Sequence, residues 1–288
     1  MLPSKSFLLA LALALALALA MTLSAGCASV DRQAHADALA AAGHLQHERL
    51  QADAFVLTAY TRITRADQPL RVYLEGDGFA WVSRNQPSLD PTPRNPVGLM
   101  LAAQDPSPNV AYLARPCQYT PMADNPQCGS AWWTGKRFAP PVVASLNAAL
   151  DQLRTRTPGQ PLELVGYSGG GALAVLLAAR RQDVAAIRTV AGNLDTEFVN
   201  ALHQVSAMPE SLNPITDAPR VANIPQRHFS GANDAIVPPR VAQRFVAATG
   251  TRCASTQIIP GLDHGGDWAQ HWRTLLGNAP ACRDGTSP

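Results

Sequence analysis

Lysine is almost missing from this chain: Lys5 and Lys136 are the only two in 288 residues. Arginine carries nearly all the positive charge, and the formal net charge is only +2. No cluster of basic residues occurs, so the electrostatic footprint that a phosphate backbone requires is missing and no nucleic-acid partner is expected. Metal ligands are equally sparse. His44 and His47 have metal-like spacing beside Glu48, but no further ligand group joins them, so no metal is expected. His35, His203 and His228 have no constellation around them. There is no internal repeat outside the first residues, and no cofactor motif.

One long apolar run does occur. Lys5 precedes Phe7–Leu23, made mostly of Leu-Ala repeats, which reads as a targeting segment over residues 1–26 and is excluded from fold reasoning. The run ends Leu23-Ser24-Ala25-Gly26-Cys27. This resembles the bacterial lipoprotein signal, with Ser24 where leucine is usual. The resemblance implies lipid on Cys27, a membrane attachment through that lipid, and residues 27–43 as anchor and linker. Because Ala28 and not an aspartate follows, it implies the outer membrane, facing the periplasm. Ordinary secretory cleavage to a soluble periplasmic form and an uncleaved anchor remain the alternatives. If Cys27 is lipidated, four of the five cysteines are left for an oxidising compartment. Of the three pairings that four cysteines allow, the expected one is adjacent, Cys117 with Cys128 and Cys253 with Cys282. The alternative is four reduced, buried thiols.

The most informative segment is Leu162–Gly171, an apolar strand that runs into G-x-S-x-G at Ser168. In such an arrangement the serine sits on a strained strand-to-helix turn with its hydroxyl exposed above a parallel sheet. Gly166, Gly169, Gly170 and Gly171 supply the room the turn needs. A serine hydroxyl attacks only when a base takes its proton, and the base needs an acid to hold its tautomer. On this kind of scaffold the chain order is Ser, Asp/Glu, His. Arg227–Asp234 reads as a strand ending at an acid, and Thr256–Pro260 as a strand followed by the turn that carries His264. Asp195 and Asp217 are rival acids and His271 is a rival base.

At this point the chain resembles the α/β-hydrolase superfamily of serine hydrolases, esterase and lipase-like. "GYSGG", "SGANDAIVPP" and "PGLDHGG" look like that family's nucleophile, acid and histidine segments. Val72–Gly78 looks like its third strand and oxyanion loop, with Glu75-Gly76 in place of the usual histidine-glycine start. The resemblance implies Ser168, Asp234 and His264 as catalytic residues. It implies an oxyanion hole from the amide of Gly169 and that of Asp77 or Gly78.

Leu70–Glu75, Asn109–Ala114 and Ala185–Ala191 read as further strands and Val142–Arg154 as a helix, and this strand–helix alternation predicts a mostly parallel α/β sheet with helices on both faces, spanning residues 44–282, with 283–288 as a tail. Asp195–Ile224 is the only stretch long enough for a cap; it reads as one helix, Thr196–Val205, and Pro-rich loops, so the cap is minimal. Aromatic residues cluster in two loops, Phe79 with Trp81, and Trp132, Trp133 and Phe138. They are expected either to line a substrate surface or to anchor those loops. The expected activity is hydrolysis of carboxylic esters, on a small-molecule or acyl ester, by a monomer without cofactor. An acyltransferase or peptidase on the same residues and a non-catalytic envelope binding lipoprotein are the alternatives.

Overall fold

The parallel core follows from the character of its strands. In a computed structural model, residues 31–250 and 252–282 are described; the Cys27 anchor, the targeting segment and the 283–288 tail lie outside them. In chain order the elements are α1 (Arg32–Ala42), β1 (Gln46–Ala52), β2 (Phe55–Ile63), β3 (Leu70–Leu74) and a small hairpin, β4 (Trp81–Ser83) with β5 (Gln86–Pro87). Then come α2 (Val97–Gln104), β6 (Asn109–Leu113), a 3-10 turn at Ser130–Trp133, α3 (Pro140–Arg154), β7 (Leu162–Tyr167) and α4 (Gly169–Ala178). They are followed by β8 (Val184–Val190), α5 (Thr196–Leu202), a 3-10 turn at Pro214–Val221 and β9 (Gln226–Gly231). The chain closes with α6 (Arg240–Thr249), β10 (Ala254–Ile259) and α7 (Trp268–Leu276).

Eight strands form one sheet in the order β1-β2-β6-β3-β7-β8-β9-β10. β2 runs antiparallel to both its neighbours, and every other pairing is parallel. A parallel strand covered on both faces reads as a continuous apolar run, as β6 does with all five residues buried. One face is covered by α3, α4 and α6. The other is covered by α1, α2 and α7, with Trp268 and Trp272 fully buried. Every residue of α4 is buried, so this helix is apolar all round, as a helix behind the central strands must be.

The structure departs from the sequence reading in three places. The β4–β5 hairpin falls in a stretch rich in turn residues, where short strands leave no periodicity to read. Helix α5 stops at Leu202, short of the expected Val205, because Gln204 turns left-handed at φ 53°. The rings at Trp132, Trp133 and Phe138 are discussed below.

Burial of His228 gives the fold an acid sensitivity. Its ring is fully buried in β9, with Nδ1 2.9 Å from Thr189 Oγ1 and Nε2 without a partner among the described residues. Burial pushes its pKa down to about 3, against an ordinary value of 6.5. Above pH 6.5 both folded and unfolded chains hold it neutral. As pH falls from there towards 3 only the unfolded chain takes the proton, so stability is lost with a slope of up to about 1.4 kcal/mol per pH unit. Urea unfolding between pH 6.5 and 4 should show that slope reduced by about one proton in His228→Leu, whatever the absolute stability of the variant. Equal slopes would show that His228 is not the group responsible.

Candidate active site

Four segments meet at the carboxyl ends of the central strands, where ligands bind in open α/β sheets. They are Glu75–Gly78 after β3, Ser168 after β7, Asp234 after β9 and His264 after β10. Ser168 has φ 51° and ψ −118°, a left-handed conformation for a residue with a side chain. Such strain costs on the order of 1–3 kcal/mol and is held by its surroundings. Here Ser168 N–H donates to Val190 O, while Ser168 O accepts from Gly171 and Asn193. A Cβ at Gly166 would lie 2.2 Å from Gly170 O, and one at Gly170 would lie 2.1 Å from Leu74 O. Only glycine permits that close approach of β3, β7 and α4.

The side chains form one row. Ser168 Oγ is 3.0 Å from His264 Nε2, and His264 Nδ1 is 2.9 Å from Asp234 Oδ2. The other oxygen of Asp234 accepts from the backbone N–H groups of Ile236 and Val237 at 2.9 and 2.8 Å, which fixes the carboxylate plane. The turn that carries His264 is gripped through its carbonyl, which accepts from Tyr167 Oη at 3.0 Å and Trp268 Nε1 at 3.2 Å. Asn233 N–H donates to Leu262 O and joins the acid loop to the histidine turn.

The rival groups stand elsewhere. Asp195 caps α5 by accepting from Phe198 N–H and pairs with Arg244. Asp217 pairs with Arg180 and Arg220. His271 is exposed on α7.

The loop after β3 is built around two carboxylates. Glu75 is buried and turned inward, where it accepts from Gly76 N–H at 2.9 Å and from Gly98 N–H at 3.2 Å at the start of α2. Burial pushes its carboxyl above the ordinary range, and those amides oppose the shift only in part. Asp77 points the other way. Burial alone would raise its carboxyl, but the Arg137 and Arg115 guanidiniums outweigh that and hold it below the usual range. Arg115 Nη1 donates to Asp77 Oδ1, and Arg137 Nε lies 3.3 Å from Oδ2. A Cβ on Gly169 would fall 2.1 Å from Asp77 Oδ1, so Asp77 packs directly against the first turn of α4. The Gly76 amide is occupied by Glu75 and the Phe79 amide by Pro91 O, while those of Asp77 and Gly78 have no acceptor among the described residues.

A cavity of about 510 Å³ contains Ser168 and His264. Its walls include Asp77, Gly78, Phe79, Trp81, Tyr167 and Ile236, with Arg94 and Asn95 at one corner. A second cavity of similar size, about 510 Å³, shares Trp81 and continues past Arg137 to the segment after α5. Phe79 and Trp81 thus line the site. Trp132 and Trp133 do not, and this corrects the expectation that they line a substrate surface. Trp133 is buried and donates through Nε1 to Ser88 O, while Trp132 donates to Gln127 O and packs edge-on against Phe55. Phe138 is fully buried. These three rings anchor a loop poor in regular structure.

Both disulfides are present, Cys117–Cys128 and Cys253–Cys282. The first braces the site by a route the sequence did not show. Gln118, next to Cys117, donates to Gly76 O at 3.1 Å and accepts from Arg115 N–H at 3.1 Å. Each bond should contribute about 2–4 kcal/mol. Cys117→Ser/Cys128→Ser should also lower kcat, because Arg115 and Gln118 lose their anchor. Cys253→Ser/Cys282→Ser should lower only the unfolding midpoint. Equal kcat in the two double variants would show that the first bond does not support the loop.

Sequence reasoning missed Arg115, Arg137, Gln118, Tyr167 and Trp268. For Arg115, Gln118, Tyr167 and Trp268 the available signal was nearness in sequence to Cys117, Ser168 and His264; Arg137 had none. No protein-family model matches the chain, and no curated protein matches it in sequence. Solved structures do match. A bacterial membrane phospholipase A described as a virulence factor is 16% identical at a TM-score of 0.54, covering 95% of this chain and 98% of that one. Est1E from Butyrivibrio proteoclasticus is 14% identical at 0.55, covering 80% and 94%. An α/β serine hydrolase without lid from Xanthomonas campestris is 14% identical at 0.52, covering 83% and 97%. Sheet order, crossovers and these likenesses together establish that the chain has the α/β-hydrolase fold.

Proposed function

We propose that the chain is a serine hydrolase that cleaves carboxylic esters through an acyl-enzyme. The observation that carries this reading is the row Asp234–His264–Ser168, with hydrogen-bond distances of 2.9 and 3.0 Å on a strained serine that opens into a cavity. His264 Nε2 takes the Ser168 proton as Oγ attacks the ester carbonyl, and then returns it to the departing alkoxide. Asp234 keeps the proton of His264 on Nδ1 and stabilises the imidazolium that forms. Water then attacks the acyl-enzyme with the same base, releasing the acid and restoring Ser168.

The tetrahedral oxyanion would be held by the Gly169 amide at the start of α4 and by the Asp77 amide. Asp77 is favoured over Gly78 because Asp77 is the residue packed on Gly169. A bare carboxylate there would oppose the developing negative charge. Arg115 and Arg137 remove that objection, since two cations face one anion. The names of the structural neighbours, an esterase domain from Rhodothermus marinus and the membrane phospholipase A among them, are consistent with ester cleavage.

A fluorophosphonate probe should label the protein at Ser168 and stop hydrolysis of short p-nitrophenyl esters. Absence of labelling in folded protein would favour the non-catalytic binding reading. Amides and acyl acceptors offered alongside those esters would identify a peptidase or acyltransferase. The site would work in the cell envelope, attached through lipid on Cys27. No described helix is long and apolar enough to cross a membrane. Intact-mass measurement of the mature N-terminus tests the attachment, and an unmodified terminus rejects it.

A further inference from the structure

The corner of the cavity at Arg94 is built differently from its other walls. The guanidinium of Arg94 lies 3.8 Å from the centroid of the Phe79 ring, which holds the head group in place at the cavity wall. A second cation, Arg32, lies 5.3 Å from the same ring, but it is matched by the Asp90 carboxylate at 3.2 Å. Arg94 has no carboxylate partner among the described residues, and it is exposed to the cavity and to solvent. Asn95 adds an uncharged polar group beside it. Asp77 does not compensate Arg94, because its charge is already met by Arg115 and Arg137. The Asp263 carboxylate, in the turn that carries His264, is exposed and lies outside the cavity lining. Glu75 also reaches the cavity lining, but its carboxylate is engaged by the Gly76 and Gly98 amides, so Arg94 is a cation held at the wall with no carboxylate of its own among the described residues.

We infer that Arg94 is a specificity-determining residue that binds an anionic group, a carboxylate, phosphate or sulfate, carried by the ester substrate. This rests on the ester-hydrolase reading above. A planar guanidinium backed by an aromatic ring presents its free N–H edge to such an oxyanion and loses little side-chain freedom on binding it. The rest of the wall, Phe79, Trp81, Tyr167 and Ile236, would cover the uncharged part of the substrate.

The test compares wild type, Arg94→Gln and Arg94→Lys on three p-nitrophenyl-type esters. One is the neutral p-nitrophenyl butyrate. A second, mono-p-nitrophenyl adipate, carries the charge on the acyl side. The third, 3-carboxy-4-nitrophenyl butyrate, carries it on the leaving group. Arg94→Gln should lower kcat/KM by about tenfold or more, through KM, for at least one charged ester and leave the neutral one within about twofold. The ester that responds identifies which half of the substrate carries the anion. Arg94→Lys keeps the charge without the flat stacking and should keep most of the preference. Added salt should weaken the preference in wild type. Equal loss on all three esters would assign Arg94 to support of Phe79 alone and overturn the proposal, as would no loss on any. In either case turnover of butyrate leaves the hydrolase reading standing. If wild type cleaves none of the three and Ser168 resists fluorophosphonate, that reading fails and the Arg94 proposal falls with it.

Discussion

Ser168→Ala should lower kcat by about a millionfold, the scale seen when a triad serine is removed, and leave the fold intact. The structure explains why the second half of that expectation holds. Among the described residues Ser168 Oγ is bonded only to His264, and the backbone contacts of the turn run through Ser168 N–H and O, which alanine keeps. The φ of 51° strains alanine as it strains serine. Residual turnover through the Gly169 and Asp77 amides should remain above the uncatalysed rate. Thermal unfolding and ester kinetics on one preparation make the check. A fall of only tenfold would remove Ser168 as the nucleophile.

Asp234→Asn should cost about ten thousandfold in kcat, again without unfolding. The oxygen that accepts from Ile236 and Val237 survives in asparagine, so the loop keeps its shape. The group facing His264 Nδ1 becomes an N–H donor. Nδ1 must then accept, and the ring proton moves to Nε2, where it can no longer take the proton of Ser168 Oγ. The control is Asp195→Asn. Asparagine caps a helix about as well as aspartate, so this variant should lose some stability through the Arg244 pair and keep its kcat. If Asp195→Asn damages kcat as much as Asp234→Asn does, the acid has been misassigned.

The fold was legible in the sequence where the signals are local. The apolar runs at β3, β6, β7 and β8 could be read because parallel strands buried on both faces leave no alternation to obscure them. Helix α3 could be read over Val142–Arg154, and it starts two residues earlier, at Pro140, because proline suits the first turn of a helix. The β4–β5 hairpin could not, since two strands of three and two residues carry no pattern. The aromatic loop was half legible. Phe79 and Trp81 reach the cavity, whereas Trp133 is buried and the half-buried Trp132 packs against Phe55, because a loop poor in regular structure uses its large rings to hold itself down.

By itself the sequence determined the position of Ser168, the order in which an acid and a histidine follow it, and the strands that precede the serine and the histidine. These are properties of short windows, since glycine spacing and apolar periodicity act within a few residues. It did not determine which aspartate faces His264. Asp195, Asp217 and Asp234 are chemically identical, and only the parallel pairing of β9 with β10 brings one of them within 2.9 Å of a ring thirty residues away. Nor did it show that Glu75 turns inward to the start of α2 while Asp77, two residues on, meets two arginines. Those outcomes depend on burial and on charges that approach from distant parts of the chain. Electrostatic interactions reach across space without regard to sequence, so only the tertiary structure decides them.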